Sequence, residues 1–73
     1  RVRIQGTILN ILGETAQIVV EFQQEGHGLI QRLCQLSEEI WEEVGESLHF
    51  NQTIELWGFD HGPRSPIRVM AIL

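Results

Sequence analysis

Apolar residues recur at every second position through most of the chain. Val2, Ile4, Gly6 and Ile8 alternate with Arg1, Arg3, Gln5 and Thr7, the period of a strand with one face on a core and the other in water. Gly6 within that run predicts a bend or bulge, as a strongly coiled barrel strand requires. Gly13 and Glu14 mark a turn. A second run sets Ala16, Ile18, Val20 and Phe22 against Gln17, Val19 and Glu21. Residues 23–28 (QQEGHG) form a loop, and residues 29–36 (LIQRLCQL) read as a third strand. Its facing stays open, because the pairs Leu29/Leu33 and Ile30/Cys34 compete. Residues 37–48 (SEEIWEEVGESL) change period. Ile40, Val44 and Leu48 recur at i, i+4 and i+8, joined by Trp41, an amphipathic helix of about three turns. Ser37 is its expected N-cap, and Glu38 and Glu39 occupy the first turn, where the helix dipole favours anions. Residues 52–59 (QTIELWGF) and 66–73 (PIRVMAIL) make a fourth and a fifth strand. Three strands, a helix and two strands predict a small all-β, five-stranded Greek-key barrel. The helix between strands 3 and 4 would close its bottom with Ile40, Val44 and Leu48.

Seventy-three residues make one domain with a modest core. No apolar run is long enough for a membrane-spanning helix. The chain opens on Arg1-Val2-Arg3-Ile4 and ends in IRVMAIL, so it reads as one domain of a longer chain or as a trimmed core, with no signal peptide. Cys34 is the only cysteine. It builds neither an intrachain disulfide nor a cysteine-rich metal site, it favours a cytoplasmic setting, and its apolar neighbours predict a buried thiol.

The net charge of −5 runs against nucleic acid as a partner, but its distribution changes that picture. Glu38, Glu39, Glu42, Glu43 and Glu46 all lie on the helix. The other five acids, Glu14, Glu21, Glu25, Glu55 and Asp60, are matched by Arg1, Arg3, Arg32, Arg64 and Arg68. There is no lysine, and arginine is the cation that stacks and pairs bidentately. Catalysis finds no support. His27, His49 and His61 are scattered, and the adjacent Asp60 and His61 point apart in extended chain. Ser65 lies between prolines without a base. No cofactor loop or metal cluster is legible either.

The opening VRIQGTI, the sequence AQIVVEF followed by GLIQRLCQ, and the later TIELWG and IRVMAI resemble the five strands of an OB-fold domain. The likeness is greatest to the nucleic-acid-binding type found as anticodon-binding modules, although Gln23 stands where that type often carries an acid. The resemblance spans nearly the whole chain. It implies a binding face on strands 2 and 3, flanked by the loops joining strands 1–2 and 4–5. Arg64 and His61 fall in the second of those loops, which Pro63 and Pro66 stiffen. Arg32 falls on strand 3 and Val19 on the outer side of strand 2. Trp57 and Phe59 must face outward if Ile54 and Leu56 face the core. There Trp57 has three possible roles: packing within the domain, meeting a protein partner, or stacking a base. These six residues are the expected ligand contacts of a non-catalytic binding module. The first expectation is single-stranded DNA or RNA, held by aromatic stacking and arginine–phosphate contacts. The alternative is a protein–protein or assembly module that covers Trp57 and Phe59.

Overall fold

In the computed structural model, which describes all 73 residues, the first strand is long enough to serve two neighbours. The N-terminal half of β1 (Val2–Leu12) pairs antiparallel with β4 (Thr53–Phe59), from Val2 opposite Gly58 to Thr7 opposite Thr53. Its C-terminal half pairs with β2 (Gln17–Gln24), from Gly6 opposite Phe22 to Leu12 opposite Gln17. The two ladders overlap at Gly6 and Thr7, where the strand must coil sharply. A Cβ on Gly6 would run into the Glu21 carbonyl oxygen and the Val20 side chain. The bulge itself lies three residues later than Gly6, with Leu9 as the extra residue between Ile8 and Asn10. Gly6 therefore permits a close approach of strands rather than supplying the bulge.

β2 forms a hairpin with β3 (Gly28–Gln35), and β3 runs parallel to β5 (Ile67–Ile72) for only two residue pairs, Cys34 with Ile67 and Gln35 with Arg68. β5 returns antiparallel to β4 and closes a barrel in the order β1-β2-β3-β5-β4. The fold is thus a small all-β barrel with one short helix between β3 and β4, as the patterning predicted.

The alternating apolar positions supply the core: Ile4, Ile8, Ile18, Val20, Cys34, Ile54, Leu56, Ile67 and Val69 from the strands, with Leu36 and Leu48 from the segments flanking the helix. No polar side chain is buried among them. The open question of β3 is resolved in favour of Ile30 and Cys34. Cys34 is fully buried, whereas Leu29, on the opposite parity, is 65% exposed.

α1 (Glu38–Val44) is shorter than expected. It spans seven residues and passes into a 3-10 turn at Gly45–Ser47. Ser37 caps it as expected, its hydroxyl accepting from the Ile40 amide at 3.1 Å. The tight turn brings Gly45 against the Trp41 ring, within a distance no side chain would allow. Leu48 consequently enters the core from beyond the helix, while Ile40, Trp41 and Val44 cover the core's edge and stay half-buried.

Candidate functional site

Strand period two places Ile54, Leu56 and Gly58 of β4 inside the barrel and leaves Glu55, Trp57 and Phe59 on its outer surface. A side chain at Gly58 would meet the Arg68 carbonyl oxygen, so β4 and β5 approach closely here. The ladder slips at the same point, with Met70 as the unpaired extra residue on β5. This register sets Arg68 opposite Phe59, and the β1 register sets Arg3 opposite Trp57.

The outcome is a row of aromatic rings and guanidinium groups. Trp57 and Phe59 meet edge to face, with centroids 6.0 Å apart and planes at 78°. Arg1 lies 5.3 Å over the Trp57 ring and Arg68 6.0 Å from the Phe59 centroid, within reach of cation–π attraction. Arg3 is tied to Glu55, its Nε donating at 2.7 Å to Oε2. A cleft of ≈ 460 Å³ opens beside Trp57 between Arg1, Arg3 and Leu73. Three of the five arginines therefore converge on Trp57 and Phe59. Arg1 and Arg68 have no carboxylate within salt-bridge distance.

Arg32 does something else. It shares the inward parity of Cys34 but sits nearer the mouth of the barrel, where its fork reaches the β4–β5 loop. Nη1 and Nη2 donate to the two Asp60 carboxylate oxygens at 2.9 Å each. Nη2 also donates to the carbonyls of Gly62 (2.9 Å) and Ser65 (3.0 Å). The Gly62 amide donates back to Asp60 Oδ1 at 2.9 Å. The hydrogen bond from Arg32, helped by that amide, holds the Asp60 carboxyl below its ordinary range, and Asp60 raises the Arg32 guanidinium. Arg32 thus shapes the loop from within. Nearby, burial pushes the Cys34 thiol up to about 11.

The six residues singled out from the sequence fall in three places. Trp57 and Phe59 lie together on the β1–β4–β5 surface. Arg32 holds the β4–β5 loop that carries the exposed His61 and Arg64, and Arg64 lines a shallow depression with Gln31, Leu33 and Pro63 rather than the cleft at Trp57. Val19 stands opposite Leu33 on the outer face of β2–β3. The remaining outward positions of that face are Gln17, Glu21, Gln23, Leu29, Gln31 and Gln35, so its own strands present no aromatic ring and no arginine outward, and Arg64 borders it at Gln31 and Leu33. Arg1, Arg3 and Arg68 were not singled out from the sequence. Only the cross-strand register brings them to the rings, although Arg68 alternating with Ile67 and Val69 already marked it as outward-facing.

No three His, Cys, Asp or Glu side chains converge in a way that could hold a metal ion, and no helix is long and apolar enough to cross a membrane. Compared by sequence and by structure, the chain matches no family model, curated protein or solved structure.

Proposed function

We propose that this domain binds single-stranded nucleic acid on the β1–β4–β5 surface, with Trp57, Phe59, Arg1 and Arg68 as its main contacts. One observation carries the reading: three arginines and two aromatic rings are gathered on one strand-built surface of a chain that is otherwise acidic. Rings and guanidinium planes both stack bases, and arginine donors reach phosphate oxygens. Within this surface, three arginines stand against one glutamate, Glu55, a local charge of +2. The five helical glutamates oppose binding through a field that salt weakens, with a screening length of about 10 Å at 0.1 M; Glu39 lines a cleft that Arg68 shares.

The barrel's strand order, with its helix between β3 and β4, supports the OB-type resemblance. The proposed contact surface nevertheless lies off the β2–β3 face which that resemblance implies. The reading is of a binding module rather than an enzyme. A cytoplasmic setting goes with it, since the lone Cys34 has no partner for an intrachain disulfide. A protein partner is the second reading. It is favoured by the outer β2–β3 face, where Val19, Leu29 and Leu33 lie among glutamines.

The test is amide and indole chemical-shift mapping with a ten-nucleotide oligothymidylate at low salt. The Trp57 indole and the amides of Arg3, Phe59 and Arg68 should shift, while the Trp41 indole stays in place. Shifts confined to Val19, Leu29 and Leu33, or none at all, would overturn the proposal.

A further inference from the structure

A second surface is unoccupied by the chain's own elements. β3 accompanies β5 only as far as Gln35 opposite Arg68. The chain then leaves the sheet through Leu36 into α1. β5 continues to Ile72, and on the side away from β4 no strand pairs with it beyond Arg68. Met70 is also the bulged residue of the β4–β5 ladder, and a bulged residue is left out of the regular pairing. The gap between this edge and α1 is a cleft of ≈ 480 Å³. Its lining is half apolar, with Leu36, Ile40, Val69 and Met70, and half polar, with Gln35, Ser37 and Glu39 towards the helix and Arg68 on β5. Met70 is 39% exposed there.

We infer that this cleft is a docking site for an extended segment of a partner protein. That segment adds a strand to the free edge of β5, inserts apolar side chains between Ile40 and Met70, and sets a basic side chain against Glu39. The chemistry selects this occupant on three grounds. Unpaired backbone at a sheet edge is satisfied by another extended backbone, and alternate side chains then give specificity. Four of the eight residues lining the cleft, Leu36, Ile40, Val69 and Met70, are apolar, so the side chains that enter between them must be apolar too. The helix is acidic, and none of Glu38, Glu39, Glu42, Glu43 or Glu46 has an ion-pair partner within the chain, so a basic segment is attracted. A second copy of this chain is disfavoured at the same edge. Two-fold pairing would bring two glutamate-rich helices together. The site is independent of the nucleic-acid surface except at Arg68, whose guanidinium is turned to Phe59.

The experiment uses the whole chain without nucleic acid and a capped octapeptide of alternating valine and lysine as the probe. Binding is followed by amide shifts and hydrogen exchange at residues 69–72 and at Ile40, and self-association by sedimentation. Three comparisons accompany it: the valine–glutamate peptide, a valine–lysine peptide N-methylated at alternate residues, and the Glu39→Gln protein. The inference expects shifts and exchange protection at residues 69–72. It also expects binding at least tenfold weaker for both altered peptides and several-fold weaker for Glu39→Gln. Equal binding of the N-methylated peptide would reduce the effect to charge attraction by the helix and overturn the strand addition. So would an absence of shifts at residues 69–72, or self-association of the chain through that edge.

Discussion

Removing the Arg32 side chain should destabilise the whole barrel, although Arg32 lies on a strand bounding an exposed loop. The Arg32 and Asp60 side chains are only 13% and 23% exposed. The fork makes two bonds to a carboxylate and two to loop carbonyls. An exposed ion pair contributes about 0–1 kcal/mol, whereas breaking a fully buried one costs about 3–5 kcal/mol because the remaining charge is stranded. This pair lies between those limits, and Arg32→Ala also leaves two carbonyls to find water. A loss of about 2–3 kcal/mol follows, equivalent to roughly 10–20 °C in Tm for a domain of this size. Differential scanning calorimetry on Arg32→Ala, Arg32→Lys, Asp60→Ala and the Arg32→Ala/Asp60→Ala double variant measures it. Lysine keeps the charge but not the planar fork, so it should recover less than half of the loss. The double variant should be more stable than the sum of the two single losses implies, since the stranded partner is gone. An Arg32→Ala melting temperature within about 2 °C of wild type would refute the clamp.

Other expectations follow from the same contacts. Because Arg32 depresses the Asp60 pKa in the folded state, the pair's stabilisation is complete above the unfolded aspartate value of about 3.9. It is lost as the pH falls through the lower folded value. Asp60→Asn should therefore flatten the acid limb of a stability–pH curve below about pH 4, and an unchanged limb would contradict the assignment. Gly58→Ala should cost about 1–3 kcal/mol by forcing β4 from the Arg68 carbonyl. It should also weaken oligonucleotide binding by moving Phe59 from Arg68; a variant as stable as wild type would mean the strands separate freely. Cys34, fully buried with its thiol pushed up to about 11, should resist iodoacetamide at pH 8 in the native protein and react once guanidinium unfolds it. Rapid native labelling, read by mass spectrometry, would show that the core opens.

β1, β2, β4 and β5 were legible because period two survives in each of them. Ile54 and Leu56 inside with Trp57 and Phe59 outside needed only the pleat. The helix was legible in type and cap but not in length, because Leu48 keeps the helical spacing by eye although the chain has already tightened at Gly45. β3 resisted reading, since Leu29, Ile30, Leu33 and Cys34 are all apolar and only pairing with Ile18 and Phe22 decides between them. The candidate surface was half legible. Trp57 and Phe59 were visible as outward aromatics. Their arginines come from residues 1, 3 and 68, and no local pattern announces a cross-strand register. Arg32 was expected as a ligand contact on a strand of open facing, because nothing in residues 29–36 reveals that the β4–β5 loop folds over it.

The most direct test of the nucleic-acid proposal is a fluorescence-anisotropy titration of the domain against a labelled single-stranded oligonucleotide across a range of salt concentrations. If Arg1 and Arg68, the two arginines of this surface without a carboxylate partner, each meet a phosphate, the slope of log K against log salt should be about −1.4, or about −0.7 per contact. Arg68→Ala should make that slope shallower by about 0.7, and Trp57→Ala should weaken binding by about 1–3 kcal/mol without changing it. No binding at the lowest salt, where the electrostatic attraction is greatest, or binding that Trp57→Ala and Arg68→Ala leave untouched, would contradict the account.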